Sequence, residues 1–400
     1  MKKKLMSVSL LLISLFMVSA NAVAAVIPLM AKSMPNVNGS LIELSMTLPS
    51  LGILCMPLSV PLAEKIGIKR EILIGIGVIL ISGIIPAFTN NIYLILLSRV
   101  ALGLGTAMVG AYASSLIIKL YQGQAQQNML GGASIIEGLA MLGMTYFAGV
   151  LMNVKWNNAF LVYLIALPIL LMFWAFVPEK LVDAPAEGNQ SSKKQKGSKH
   201  LTVAVILFAI YNFLFNTCFA FMTTKFAALV VERGYGTAAQ ASTLMGVMSL
   251  AMSIGGFLYM GIQKKAPTFS PAIAALLLLI SYVLLLNTKS MLVSTIAMIL
   301  AGFTLAIGMS SSAYVISLFT KPNAVAFSVG VCGSVANVGT LLTPYSAQLF
   351  ATILHNNSPE VAFKCAAVIM SILFVVALVV GIKEKQKLDK KTTNVAIHTN

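Results

Sequence analysis

The sequence is poor in charged residues, and in acidic residues above all. Asp and Glu together number 11 among 400 residues, and charged residues of both signs make up 10% of the chain. Soluble globular proteins carry about 25% charged residues, and disordered chains are also rich in polar types. The composition therefore excludes a soluble fold of this length and a disordered chain.

Cysteine and histidine are also scarce. The four cysteines stand far apart inside apolar stretches, with no Cys-x-x-Cys pair and no companion histidine, at Cys55, Cys218, Cys332 and Cys365. Metal sites and disulfide frameworks use closer and more regular spacings. A nucleotide-binding glycine loop is also missing. We therefore expect no metal, no cofactor and no enzymatic activity.

Long apolar runs dominate what is present. Hydrophobic residues make up 58% of the 400 residues, which is about 230 residues. Twelve membrane helices of about 20 residues need roughly 240. The runs are separated by short polar breaks, a pattern that predicts an all-α membrane protein with twelve transmembrane helices. The predicted helices are 5–30, 40–62, 71–90, 91–118, 129–152, 158–177, 201–228, 239–262, 269–287, 291–317, 325–353 and 361–382.

One polar break is much longer than the others. Residues 178–200 are polar and basic and show no hydrophobic period, which predicts a solvated cytoplasmic linker. The linker would separate a six-helix bundle at 1–177 from a second at 201–400 that ends in a short cytoplasmic tail. Similar strings at corresponding places, Ala111-Tyr112 and Ala313-Tyr314, suggest a duplicated unit. In transporters built from repeats, the substrate site lies between them.

The N-terminus imitates a secretory signal peptide. Three lysines, Lys2–Lys4, precede an apolar run and the small-residue string Ala20-Asn21-Ala22. The apolar run continues to Met30, however, and is then long enough to span a membrane. We expect an uncleaved first helix.

The positions of the basic residues predict how the chain is oriented in the membrane. The net charge of +16 comes mostly from residues near the N-terminus, in the hairpin at 64–70, in the linker and in the tail. Basic loops stay in the cytoplasm, so both termini are predicted there, in a multi-pass protein of the cell membrane. Because the charges alternate with apolar runs, the predicted partner is the lipid bilayer and not nucleic acid.

Ionisable residues inside a span are costly and are functional candidates. Glu137 lies eight residues into helix 5 and Arg99 eight residues into helix 4, each at a depth of roughly 12 Å. We hypothesise that they interact, directly or through water, and that proton or substrate binding changes the pairing. The alternative is a permanent ion pair that fixes helix packing.

The other acids have structural interpretations. Glu43 follows Ser40 in a capping-box pattern, in which the glutamate reaches back to the start of its own helix. The nine acids besides Glu43 and Glu137 lie in or beside loops and tails: Glu64, Glu71, Glu179, Asp183, Glu187, Glu232, Glu360, Glu384 and Asp389.

Uncharged polar residues inside the predicted helices are candidates for a cavity lining. Asn212 and Asn216 are one turn apart, and Asn337 and Gln348 are three turns apart, so each pair shares a helix face. Asn21 stands in the first helix. Buried amides also join helices, and that is the alternative interpretation for each.

The first cytoplasmic hairpin is the most specific string in the chain. Residues 61–70 read Pro-Leu-Ala-Glu-Lys-Ile-Gly-Ile-Lys-Arg. Gly67 supplies a tight turn, and the basic cluster holds the inside orientation.

This hairpin resembles the signature G-x-L-[AS]-D-[RK]-x-G-[RK]-[RK] of the major facilitator superfamily, and the chain is similar to its twelve-helix drug-exporter type. Val60 stands at the first glycine and Glu64 replaces the aspartate. The residues that match are Leu62, Ala63, Lys65, Gly67, Lys69 and Arg70. The resemblance implies a cytoplasmic gate in which Glu64 lies near 322–324.

A second string, Leu96-x-x-Arg99-x-x-x-Gly103-x-Gly105, resembles the helix-4 signature, whose arginine is associated with proton transfer. Two departures stand beside it. Residues 143–149 lack the proline of the exporter motif in helix 5, and Asn21 stands about where many exporters carry an acid.

Together these features predict a secondary active transporter that moves a small organic solute by alternating access. The favoured function is proton-coupled export of small amphipathic compounds by a monomer, with Glu137 as the proton-responsive group. One alternative is an uptake symporter for a small organic anion, with Arg99 as its counter-charge. Another is a non-transporting membrane sensor or assembly protein.

Overall fold

A computed structural model describes residues 2–17, 19–56, 59–179, 203–320 and 325–398. Within these ranges the chain is helical almost throughout and contains no strand, so the predicted all-α fold is confirmed. The linker residues 180–200 lie outside the described residues, and the division of the chain at the linker stays a prediction. We refer to the chain up to residue 179 as the N-terminal half and from residue 203 as the C-terminal half.

The N-terminal half consists of α-helices and short 3-10 segments. The 3-10 segments are Ile13–Met17, Ser19–Asn21, Ala24–Val26, Ile85–Ala87 and Trp156–Ile165. The α-helices are α1 (Lys2–Leu12), α2 (Ile27–Ser33), α3 (Gly39–Thr47), α4 (Ser50–Leu54), α5 (Ser59–Ile66), α6 (Ile68–Ile84), α7 (Ile92–Leu120), α8 (Gly123–Met152) and α9 (Ala166–Phe176).

The C-terminal half has longer and less interrupted helices, with one 3-10 segment at Pro267–Phe269. The α-helices are α10 (Val203–Thr224), α11 (Phe226–Glu232), α12 (Ala238–Lys265), α13 (Ser270–Asn287), α14 (Met291–Phe319), α15 (Val325–Ile353) and α16 (Pro359–His398).

Eight helices in the described ranges are long and apolar enough to cross a membrane. A ninth span results if the bent pair Leu5–Met17 and Ser19–Ser33, which meet at 52°, is taken as one. The three remaining predicted spans are those at 40–62, 71–90 and 325–353. The span at 40–62 is divided into α3, α4 and α5, and Pro49, which lies between the first two, lacks the N–H that a continuous helix requires. The span at 71–90 corresponds to α6, which has 17 residues, and the span at 325–353 to α15, which contains Pro344.

The exposed surface of α16 is apolar along one side. Val368, Ile372, Val375 and Val379 are each about half exposed, and they recur at the spacing of one helix face. A face of this kind is stable against lipid and not against water.

The two halves pack together through α8 and α12. Ser242 Oγ on α12 donates a hydrogen bond of 2.6 Å to the carbonyl oxygen of Thr145 on α8. A Cβ at Gly149 would lie 2.9 Å from the carbonyl oxygen of Ala239, so the close approach of these helices requires glycine there. This contact joins the two halves beside the cavity described below.

The helix bundle has two ends. We call the end that carries residues 62–70 the hairpin end, and the opposite end, where α3 begins, the Glu43 end. α3, α4 and α5 together run from the Glu43 end to the hairpin end, since α5 leads directly into that hairpin.

Candidate functional site

A cavity of about 410 Å³ lies between the two halves. This volume is within the range of small-molecule sites. Both halves contribute to its walls, including Asn21, Thr47 and Thr106 from the first and Phe215, Phe219 and Thr340 from the second.

Four of the five predicted cavity amides line this cavity. They are Asn21, Asn212, Asn216 and Asn337. Gln348, the fifth, does not. It lies at the Glu43 end, where its Oε1 accepts a hydrogen bond of 2.9 Å from Ser40 Oγ. Asn212 and Asn216, which share a face of α10, thus reach the cavity together. The shared face of Asn337 and Gln348 did not place Gln348 correctly, because Gln348 lies at the end of the bundle.

Three of these amides are oriented by their own helices. The Nδ2 groups of Asn212, Asn216 and Asn337 each donate to the carbonyl four residues earlier, at 2.9, 3.0 and 2.9 Å. The acceptors are the carbonyl oxygens of Phe208, Asn212 and Gly333. An amide that donates its NH₂ to the backbone keeps its side-chain oxygen as an acceptor. The cavity wall therefore presents hydrogen-bond acceptors.

The first helix is interrupted beside the cavity. Its two parts meet at 52°, and Asn21 stands in the 3-10 segment just after the break. Tyr163 Oη donates a hydrogen bond of 2.9 Å to the carbonyl oxygen of Ser19 in the same segment. A side chain from another element thus satisfies a backbone group in the interrupted part of the helix.

Arg99 supports this tyrosine and does not line the cavity. Its side chain is fully buried and donates to Tyr163 Oη and to the Gly83 carbonyl oxygen, both at 3.3 Å. Its guanidinium also lies 4.8 Å from the centroid of the Phe160 ring, within cation–π range. Its Nε has no partner among the described residues.

The hypothesis of a direct Arg99–Glu137 pair is wrong for this structure. The hydrogen-bond partners of Arg99 in the described part of the chain are Tyr163 and Gly83, not Glu137. Glu137 is half-buried on α8, one turn before Met141. Met141 lines a smaller cavity of about 70 Å³, which shares Asn21 and Phe219 with the main one. Depth along the membrane normal was the basis of the pairing, and depth does not say which way a side chain faces.

The hairpin is built as its sequence indicates at the turn. Gly67 has a φ of 89° and caps the start of α6, where a side chain would be strained. Arg70 pairs with Glu179 at 3.1 Å, and Lys69 Nζ donates to the Trp174 carbonyl at 2.9 Å, so both basic residues bind the end of the N-terminal half.

The remaining hairpin residues do not test the gate that the resemblance implies. Leu62, Glu64 and Lys65 are exposed, and Ala63 is half-buried. The gate partners expected near 322–324 lie outside the described residues, so the gate stays a prediction.

Glu71 is a buried acid that the sequence placed at the start of a helix, beside a loop. Its side chain is fully buried in the first turn of α6, and its Oε2 accepts a hydrogen bond of 3.2 Å from Tyr112 Oη. Tyr112 belongs to the Ala-Tyr string that suggested a repeat. No signal in the sequence separated Glu71 from the exposed Glu64 seven residues earlier.

Glu43 is the second acid that was misassigned. The cap of α3 is Asn38, whose Oδ1 accepts from the Ser40 amide at 2.9 Å, so the predicted capping box is wrong. Glu43 instead accepts a hydrogen bond from Lys225 Nζ in the other half, and both side chains are mostly buried.

Most of the sequence matches a family model. Residues 9–323 match the model described as Major Facilitator Superfamily. This covers more than half of the chain. The chain belongs to the Major Facilitator Superfamily.

Relatives within this superfamily include transporters. The chain is 24% identical over 254 residues to a probable sugar efflux transporter of Helicobacter acinonychis (strain Sheeba). That match spans 63% of each chain, so the similarity covers less than two thirds of the relative.

Solved structures share the fold at low identity. The nucleoside transporter NupG superposes with a TM-score of 0.74 at 10% identity, over 94% of this chain and 98% of NupG. The inward-open xylose transporter XylE from E. coli superposes with a TM-score of 0.68 at 12% identity, over 95% of each chain. At these identities the comparison shows the fold.

Membership of the Major Facilitator Superfamily makes this chain a multi-pass membrane protein. A cavity between two helical bundles is where transporters of this architecture hold their solutes. The amide-lined cavity is therefore the candidate transport site.

Proposed function

We propose that the protein exports a small neutral solute across the cell membrane by alternating access, coupled to protons. The observation that carries this proposal is the cavity lined by both halves, with hydrogen bonds between the halves toward the Glu43 end. Movement of one half against the other would open that end.

The orientation follows from charge. The hairpin end carries Lys65, Lys69 and Arg70, and basic residues of short loops stay in the cytoplasm. We therefore place the hairpin end and both termini in the cytoplasm and the Glu43 end outside. In this orientation the hydrogen bonds between the halves close the outer side.

The chemistry of the cavity wall favours a neutral solute that carries hydrogen-bonding groups. Asp, Glu, Lys and Arg are absent from the described lining, while the amide oxygens of Asn212, Asn216 and Asn337 are free to accept. Phe215 and Phe219 add an apolar surface. A solute with hydroxyl groups on one side and C–H groups on the other can bind the amides and the phenylalanine rings at once. Within the predicted class of amphipathic compounds, we therefore favour sugar-like molecules.

The relative named as a probable sugar efflux transporter agrees with this class and with the outward direction. The alternative of organic-anion uptake needs a cationic group in the cavity. Arg99 does not fit that role, because it is fully buried and bound to Tyr163 and Gly83 away from the lining.

Glu137 stays our candidate for the proton-responsive group. It lies one turn from Met141 and hence near the smaller cavity, but outside the described lining of both cavities. A carboxyl group in that position can change charge without touching the solute. We propose that the protein works as a monomer, because both walls of the cavity come from one chain.

Transport by purified protein tests the proposal. Liposomes containing the protein should accumulate a radiolabelled neutral sugar or polyol against its gradient when a pH gradient is imposed, and an ionophore that dissipates the gradient should stop it. Glu137→Gln should retain exchange of solute across the membrane and lose the response to the pH gradient. A protein that moves no member of a panel of sugars, polyols and amphipathic amines would support the sensor alternative.

A further inference from the structure

Three side chains on one face of α3 contact the C-terminal half. Ser40, Glu43 and Thr47 follow the i, i+3, i+7 spacing of a single helix face. Ser40 Oγ donates to Gln348 Oε1 at 2.9 Å, and Thr47 Oγ1 donates to the Leu341 carbonyl oxygen at 3.4 Å. Glu43, between them, binds Lys225. This face is the contact of α3 with α15 and with the end of α10.

The ion pair in the middle of this face is mostly withdrawn from solvent. The side chains of Lys225 and Glu43 are 18% and 10% exposed. The second carboxylate oxygen of Glu43, Oε2, is buried without a hydrogen-bond partner among the described residues. In such an environment a charge is costly unless its partner is present. The pair therefore stabilises the closed contact only while both charges remain.

Few other charges face Glu43. The elements packed against α3 are α2, α7 and α15. α15 contains no acidic or basic residue, and Lys32 on α2 is exposed. On α7, Arg99 is bound to Tyr163 and Gly83, and Lys119 lies 20 residues further along, roughly 30 Å away by helical rise. Lys225 is consequently the cation that faces Glu43.

We propose that Glu43 and Lys225 form a charged latch that holds the Glu43 end closed, and that a proton bound by Glu43 releases it. The proton comes from water at that end and forms an O–H bond on the carboxylate. Glu43 then no longer neutralises Lys225, and the ammonium group gains its hydration when the end opens. This inference rests on the alternating-access function proposed above and adds a second proton site to Glu137.

The sign of the pH effect follows. Lower pH at the Glu43 end protonates Glu43, weakens the pair and favours the open state. Replacement of Glu43 by Gln imitates the protonated state, so the variant should be open more often and should lose the response to pH.

Accessibility of Cys332 measures the opening directly. Cys332 lines the cavity, and Cys55, Cys218 and Cys365 can be replaced by serine or alanine to leave a single reporter. A membrane-impermeant maleimide is added from the Glu43 end to protein in liposomes. Rates are normalised to a second single-cysteine protein with its cysteine on the exposed surface, because maleimide reactivity itself depends on pH.

We expect Glu43→Gln and Lys225→Met each to raise the rate of Cys332 labelling by roughly tenfold. Lowering the pH should accelerate labelling of the parent and not of Glu43→Gln. The matched control is Glu360→Gln, which removes the partner of Arg233 within the C-terminal half alone and should leave labelling unchanged.

The double variant Glu43→Lys with Lys225→Glu keeps an ion pair with the two charges exchanged. Labelling of Cys332 should return to the slow rate of the parent. This double variant also serves if a single variant fails to fold. Labelling that is equally fast in the parent and in both single variants would overturn the proposal. Because the assay needs no solute, it distinguishes a failed latch from a failed transport function.

Discussion

Tyr163 joins the buried Arg99 to the interrupted first helix. Its hydroxyl donates 2.9 Å to the Ser19 carbonyl oxygen and accepts from Arg99 at 3.3 Å. Asn21, two residues beyond Ser19, lines the cavity. An arginine that sequence reasoning placed in a proton pair thus acts on the cavity through a tyrosine, by holding the backbone that carries Asn21.

Removal of this hydroxyl should destabilise the protein. In Tyr163→Phe one Arg99 N–H loses its partner inside the bundle, and the Ser19 carbonyl oxygen keeps only the Ala22 N–H. An unsatisfied buried group costs about 1–3 kcal/mol. We expect a lower Tm in detergent. Tyr146→Phe is the matched control, because Tyr146 is 52% exposed on the bundle surface. Equal Tm values for the two variants would contradict the role of Tyr163.

Arg99→Lys should also be harmful, although it keeps the charge. Lysine cannot donate simultaneously to Tyr163 and Gly83 in the planar geometry of a guanidinium. We expect reduced stability and a lower transport rate, with the KM for solute nearly unchanged because Arg99 is not in the cavity wall. A large rise in KM with a normal rate would instead support the solute-binding role of Arg99.

The amide oxygens of the cavity should determine affinity. Asn216→Val and Asn337→Val each remove one acceptor from the wall, and we expect solute to bind about 5- to 30-fold more weakly, the effect of one lost hydrogen bond. Asn287→Val is the control, because Asn287 makes the same bond to a carbonyl four residues earlier, at 2.8 Å to Val283, on an exposed surface. Identical affinities in all three variants would exclude these acceptors from the site.

Glu71 and Tyr112 should be energetically coupled. Each is buried, and the tyrosine hydroxyl is 3.2 Å from the carboxylate. A double-mutant cycle of Glu71→Gln and Tyr112→Phe should show an interaction energy of about 0.5–3 kcal/mol in stability. Additive effects would mean that the two groups do not interact in the membrane.

Much of the fold follows from the apolar runs, because a membrane requires helices of nearly fixed length. The same constraint made Asn212 and Asn216 predictable as neighbours on one face, and φ of 89° at Gly67 agrees with the glycine expected in the hairpin turn. These features depend on contacts that are local in sequence.

The wrong predictions concern side chains whose partners are distant in sequence or lie on another helix. Ser40 and Glu43 have the spacing of a capping box, yet Glu43 binds Lys225, 182 residues away. Arg99 and Glu137 were paired by depth, although rotation about each helix axis decides which element a side chain meets. Glu71 was placed beside a loop, at the first residue of its predicted helix, although α6 begins three residues earlier at Ile68.

Protection of Cys332 by solute is the most direct test that the cavity between the halves is the transport site. Cys332 is in the lining and Cys365 is not. A neutral sugar or polyol that the protein transports should slow alkylation of Cys332 at concentrations near its KM and leave Cys365 unaffected. Transport of that solute without any protection of Cys332 would contradict the account, because the solute would then cross by a route other than this cavity.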